Sequence, residues 1–111
     1  MTKNVQIDGT AIVDWNSFHA VFAQALGFPA FYGQNMNAWI DCMTYLDDPG
    51  AGMTSVHVSV GDVLVIEVSA AERLKERCAE IFKALVECSA FVNYRRIKQG
   101  QQAVLALSLY A

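Results

Sequence analysis

The strongest constraint on the fold is a pair of short apolar runs, at residues 63–68 and 103–109, and the segment that separates them. That segment, 71–98, has apolar residues at the three- and four-residue spacing of an α-helix. The nearly continuous run 103–109 is typical of a strand covered on both faces, as in a parallel sheet wrapped by helices. The order of strand, helix and strand therefore predicts a right-handed parallel crossover.

The first half of the chain adds a third strand and two helices. Apolar and polar residues alternate over 4–8, which indicates a short strand. Asp14 is suited to cap a helix that ends at Gly27, and Asn35 is suited to cap a second helix. Together the elements predict a small α/β domain in which about three parallel strands are packed with about four helices.

Three local patterns predict the details of the second half. Residues 53–60 alternate and, with a turn at Gly61, fit one arm of a hairpin, although a loop fits as well. Ser69 and Glu72 have the spacing of a capping box. The long helical segment that follows is expected to be one helix or two helices broken near Cys78.

Composition limits both the organisation and the function. With 111 residues, 54% of them hydrophobic and 17% charged, residues 1–111 are expected to form one domain with its own core. The formal net charge of -3 lacks the basic excess that a nucleic-acid binder needs, so no direct binding of nucleic acid is expected. A basic protein partner is compatible with this charge.

No cofactor, metal or membrane is indicated. Cys42, Cys78 and Cys88 form no CxxC pair and no cluster with histidine, so we expect reduced thiols and no zinc site. The first residues lack an apolar signal core, and no run approaches the roughly 20 apolar residues of a membrane span. These observations predict a soluble, cytoplasmic protein.

The residues also favour binding over catalysis. His19 is expected to be a surface or boundary side chain of the first helix, with no catalytic partner nearby in sequence. Cys42 has no histidine marked to activate it, so it is interpreted as a packing residue. Asp47 and Asp48 precede a proline and are interpreted as a turn.

The second predicted helix has an outward face with little charge. Its residues there are Asn37, Asp41, Thr44 and Tyr45. The aromatic pair of Phe31 and Tyr32, followed by Gly33, lies just before the helix. A lone carboxylate beside aromatic residues is typical of a protein-recognition patch. Ordinary surface residues, with the two aromatic rings covering the sheet edge, explain the same pattern.

The segment 29–44, PAFYGQNMNAWIDCMT, resembles the signature of the barstar family, which are intracellular inhibitors of barnase-type ribonucleases. The resemblance implies a three-stranded parallel sheet packed with helices. It also implies substrate mimicry, in which an aspartate of the second helix takes the place of an RNA phosphate in the nuclease. Asp41 matches that aspartate, and Phe31 matches the aromatic beside the target site. Asn35 matches the position where the helix begins, and Thr44 the next outward position.

Three departures from the best-known member of the family reduce the expected attraction to a basic nuclease. Asn37 replaces an acidic residue, and Tyr45 replaces a glycine. Arg95, Arg96 and Lys98 lie where acidic groups would face the nuclease, although basic residues also suit a helix C-terminus. The departures favour a divergent nuclease or a different partner over barnase itself.

We therefore predict an intracellular ribonuclease inhibitor of the immunity type, not an enzyme, whose partner is a secreted or toxic, basic ribonuclease. The predicted partner-binding residues are Phe31, Tyr32, Gly33, Asn35, Asn37, Asp41, Thr44 and Tyr45. The alternative is a non-inhibitory interaction domain with a different partner, and a small enzyme is a third possibility.

Overall fold

A three-stranded parallel sheet in the order β1-β2-β3 organises the fold. In the computed structural model, which describes residues 2–111, the strands are β1 (Thr2–Asp8), β2 (Val63–Ser69) and β3 (Leu105–Leu109). The α-helices are α1 (Trp15–Leu26), α2 (Met36–Thr44), α3 (Ala71–Arg77) and α4 (Ala79–Lys98). Short 3-10 helices occupy Gly9–Ala11 and Pro49–Ala51. The predicted α/β class and three-stranded parallel sheet are confirmed.

The central strand β2 carries the core of the sheet, because it pairs with β1 on one side and β3 on the other. Its alternate residues Leu64, Ile66 and Val68 are fully buried. Strand β3 is an edge strand, and its Leu109 is 42% exposed. The prediction that 103–109 is covered on both faces is therefore wrong, since only the start of β3 is enclosed.

The predicted caps of α1 and α2 and the possible break near Cys78 agree with the structure. The Asp14 side chain caps α1, and Gly27 ends it in the left-handed region, where a residue without a Cβ is favoured. The Asn35 side chain accepts a hydrogen bond of 2.8 Å from the Ala38 amide at the start of α2. The long helical segment is broken at Cys78, which separates α3 from α4.

The predicted hairpin arm at 53–60 is wrong, because this segment contains no strand and its backbone bonds to helix ends instead. The Ser55 amide donates to the carbonyl of Leu26, the last residue of α1. The Val58 amide donates to the carbonyl of Leu46, just after α2, and the Val58 side chain is buried. Alternating apolar residues here cover the core from a loop.

The predicted capping box at Ser69 and Glu72 is also wrong. Ser69 is still part of β2, and its hydroxyl donates towards the Ile7 carbonyl of the neighbouring strand. The residue before α3, Ala70, has a φ of 50° and makes no side-chain cap. Gly9 packs against this corner so closely that a Cβ there would overlap the Ser69 carbonyl, which explains the glycine.

Candidate functional site

One exposed row of α2 consists of Asn37, Asp41 and Tyr45, which are spaced by four residues and so share a helix face. The Asp41 side chain is 51% exposed. The opposite face of the helix is closed, with Trp39 and Met43 fully buried in the core. Because the buried face fixes the helix, the exposed row presents an amide, a carboxylate and a phenol from a rigid element.

Thr44 does not belong to this row, although its spacing predicted an outward position. It is buried, and its hydroxyl donates to the Ile40 carbonyl at 2.6 Å. Its own carbonyl accepts a hydrogen bond of 2.7 Å from Arg96 Nη1. The outward position predicted for Thr44 is wrong, because α4 packs against the end of α2 there.

The loop before α2 exposes one aromatic ring and anchors the other. The Phe31 side chain lies in solvent, with 75% of the residue exposed. Tyr32 is half-buried: its ring centroid lies 4.6 Å from that of Phe28, and its hydroxyl is 2.6 Å from His19 Nδ1. Tyr32 therefore holds the loop against α1, and Phe31 remains free to contact a partner.

Asn35 and Gly33 shape the junction between this loop and α2. Both polar atoms of the Asn35 side chain are used within the loop, since Oδ1 caps the helix and Nδ2 donates to the Gly33 carbonyl. A Cβ on Gly33 would lie 3.3 Å from Asn35 Nδ2, which is tighter than most such contacts. The left-handed turn itself is at Gln34, with a φ of 53°.

The position predicted for His19 is wrong. It is buried, not at the surface or boundary, and its ring stacks on Trp15 with centroids 5.8 Å apart. Burial lowers the pKa of His19 and raises the pKa of Tyr32, so near neutral pH the Tyr32 hydroxyl can donate to a neutral imidazole. The four-residue spacing from Trp15 was the available signal, since it places both rings on one helix face.

Asp41 already has a partner within the chain. Its Oδ1 accepts a hydrogen bond of 3.0 Å from Arg95 Nη1 on α4. The two side chains are 51% and 34% exposed, respectively. An ion pair this open to solvent is worth about 0.2–1 kcal/mol, so it holds the carboxylate only weakly.

The next arginine on α4 is buried. Arg96 donates to both carboxylate oxygens of Asp47, at 3.0 and 2.7 Å, and its Nε donates to the Gln102 carbonyl at 2.8 Å. The two hydrogen bonds that Arg96 donates to the carboxylate, together with its positive charge, hold the pKa of Asp47 below its usual value, despite the opposing effect of burial. Arg96 therefore ties the end of α2 and the segment before β3 to α4.

The cysteine of α2, Cys42, does not have the properties of a catalytic nucleophile. Cys42 is buried, and this burial, with the adjacent Asp41 charge, raises the pKa of its thiol to about 11. Its thiol is therefore protonated near neutral pH and unsuited to nucleophilic attack.

Among residues 2–111, no group of three His, Cys, Asp or Glu side chains is placed to hold a metal. None of the described helices combines the length and apolarity of a membrane span.

Comparison with known families identifies a match over nearly the whole chain. The sequence model described as Barstar (barnase inhibitor) matches residues 2–107. The chain belongs to the barstar family. A comparison with curated proteins finds no match. The resemblance seen in 29–44 is thus confirmed, and the matched part of this barstar-family chain includes Phe31, Asp41 and Arg95.

Proposed function

We propose that this barstar-family chain inhibits a ribonuclease by placing the Asp41 carboxylate among the cations of the nuclease active site. The observation that carries the proposal is the position of Asp41, half-exposed in the middle of a row on a helix whose other face is buried. A ribonuclease must hold phosphate with cationic side chains. One preorganised carboxylate can accept several charge-assisted hydrogen bonds from such a group.

Asp41 is expected to exchange its partner on binding, because its exposed pair with Arg95 is weaker than a charge pair that is buried in an interface. Releasing the exposed pair with Arg95 costs about 0.2–1 kcal/mol. Close charge pairs across the interface of barnase and barstar, the reference complex of this family, have coupling energies of about 1.5–7 kcal/mol. An enclosed cationic site therefore outcompetes Arg95 for the carboxylate.

The surrounding residues supply the rest of the proposed interface. Phe31 offers an exposed ring, and aromatic residues are enriched among those that dominate binding energy. Asn37 and Tyr45 flank the carboxylate with neutral hydrogen-bonding groups. Tyr32 holds the loop in position through His19. The target we propose is a secreted or toxic, cationic ribonuclease, against which this chain protects the cytoplasm.

The alternative, a non-inhibitory interaction domain, has one observation in its favour. The Arg95 guanidinium beside Asp41 reduces the attraction of this face for a cationic site. The same fold and the same surface would then serve a partner that is not a nuclease.

The test begins with the tagged full chain, used to capture its partner from the lysate of its native source. The released partner is assayed for RNA cleavage with increasing amounts of added chain. We expect inhibition at a one-to-one ratio and a loss of affinity of at least about 30-fold in Asp41→Ala. Asp48→Ala, which removes an exposed carboxylate outside the α2 row, is the matched control and should inhibit like the wild type.

Two outcomes of this experiment would contradict inhibition. One is a captured partner without nuclease activity, which would favour the interaction domain. The other is an Asp41→Ala variant that inhibits as well as Asp48→Ala does. Thermal unfolding of each variant verifies that the fold is retained.

A further inference from the structure

The surface around Asp41 contains a cation as well as a carboxylate. Arg95 is one-third exposed, and within the described residues its guanidinium makes a single hydrogen bond, from Nη1 to Asp41. A guanidinium carries five N–H donors, so most of them remain available. The two opposite charges therefore lie side by side on a surface formed by α2 and α4.

The part of α4 next to Arg95 has the composition of an interface. Phe91 and Tyr94 are 47% and 56% exposed, and their ring centroids are 6.3 Å apart. The Lys98 ammonium lies 5.8 Å from the centre of the Tyr94 ring. On a helix, residues 91 and 98 are the neighbours of residues 94 and 95, so these groups adjoin Arg95. Aromatic residues and arginine are enriched at protein interfaces.

Arg95 must also influence any partner that binds Asp41. A cation that pairs with Asp41 comes within a few ångströms of the Arg95 guanidinium, because the two side chains are 3.0 Å apart. That distance is far shorter than the Debye length of about 8 Å at physiological ionic strength, so salt screens the repulsion little. A carboxylate on the partner beside that cation would remove the repulsion and accept the free Arg95 donors.

We propose that Arg95 determines the specificity of this surface, selecting a nuclease whose cationic site is bordered by a carboxylate and discriminating against sites bordered only by cations. The inference rests on the proposed function, because it requires Asp41 to enter a ribonuclease site. Phe91 and Tyr94 extend the contact onto α4 and exclude water around the Arg95 pair. Repulsion of the wrong partner and attraction of the right one then act through the same residue.

Charge reversal at Arg95 tests the proposal with two probes. One is the nuclease captured from the native lysate, and the other is purified barnase, towards which the best-known member of the family presents acidic groups in the region where this chain has Arg95. Arg95→Glu should weaken inhibition of the captured nuclease by at least about tenfold and strengthen inhibition of barnase by at least about tenfold. Lys83→Glu makes the same change in net charge at an exposed position of α4 and should change both by less than about threefold. Arg95→Gln should also weaken inhibition of the captured nuclease and strengthen inhibition of barnase, each by a smaller factor than Arg95→Glu.

The outcomes separate this inference from the function on which it rests. If Asp41→Ala abolishes inhibition but Arg95→Glu behaves like Lys83→Glu, or tightens binding of both nucleases, the role of Arg95 is overturned and inhibition stands. If Asp41→Ala has no effect on inhibition, or the captured partner is not a nuclease, both are overturned. Opposite shifts for the two nucleases in both Arg95 variants support the proposal.

Discussion

Two neighbouring arginines of α4 pair with two aspartates of the α2 region in opposite ways. Arg95 makes one hydrogen bond to Asp41, and the side chains are 34% and 51% exposed. Arg96 makes two hydrogen bonds to Asp47, and the side chains of Arg96 and Asp47 are 4% and 12% exposed. Because successive helix residues point about 100° apart, one arginine reaches the surface and the other enters the protein.

The comparison shows that an ion pair between the same two residue types can either stabilise the fold or remain available to bind a partner. The buried pair is satisfied by two carbonyls as well as by the carboxylate, so it has nothing to exchange. The exposed pair can dissociate at small cost and offer both charges to a partner. The following predictions test this contrast in order of expected size.

The largest effect is expected from removing the buried cation. Arg96→Ala should lower the free energy of unfolding by about 3–5 kcal/mol, because it leaves Asp47 without its partner and two carbonyls without their donor. Urea denaturation monitored by tryptophan fluorescence measures this change. A loss below about 1 kcal/mol would show that the pair is not structural.

The buried pair should also give the protein a specific acid sensitivity. The native pKa of Asp47 is below the 3.8 expected in the unfolded chain, so its stabilisation is complete above that pH. The stabilisation is lost as the pH falls through the lowered native value. Urea denaturation curves should be collected at a series of pH values from pH 5 downwards. The free energy of unfolding should decrease less steeply with falling pH in Asp47→Asn than in the wild type.

Arg96→Gln is the matched control for this titration. It keeps the Asp47 carboxylate but removes the guanidinium that lowers its pKa, so it should show a similarly shallow decrease. An unchanged slope in both variants would mean that Asp47 does not contribute to acid sensitivity.

The smallest effect on stability is expected at the exposed pair. Arg95→Ala should change the free energy of unfolding by less than about 1 kcal/mol, because water solvates the Asp41 carboxylate that is left. The same urea denaturation, compared with Arg96→Ala, measures the contrast directly. Equal losses of unfolding free energy in Arg95→Ala and Arg96→Ala would contradict the contrast between the two ion pairs.

Much of the fold could be predicted because its signals are local. The apolar run of β2, the Asn35 cap and the break at Cys78 each depend on residues close in sequence. The errors arose where distant residues decide the outcome. The loop 53–60 takes its hydrogen bonds from two helix ends, and Ala70 replaces the expected cap because β2 extends to Ser69.

The candidate site shows the same division. The exposed row of α2 follows from helical spacing, and Asp41 was identified from it together with the family resemblance. A helical wheel carries no information on the neighbouring α4, which buries Thr44 and brings Arg95 to Asp41. The burial of Arg96 was equally invisible, because a charged residue enters a core only where a distant carboxylate and carbonyls satisfy it.

The most direct test of the account is the dissociation constant of Asp41→Asn for the captured nuclease, measured by titration calorimetry beside the wild type. The variant keeps the shape of the side chain and removes its charge. We expect binding at least about 30-fold weaker, with the unfolding temperature nearly unchanged. Equal dissociation constants would contradict the claim that this carboxylate is the group that enters the active site.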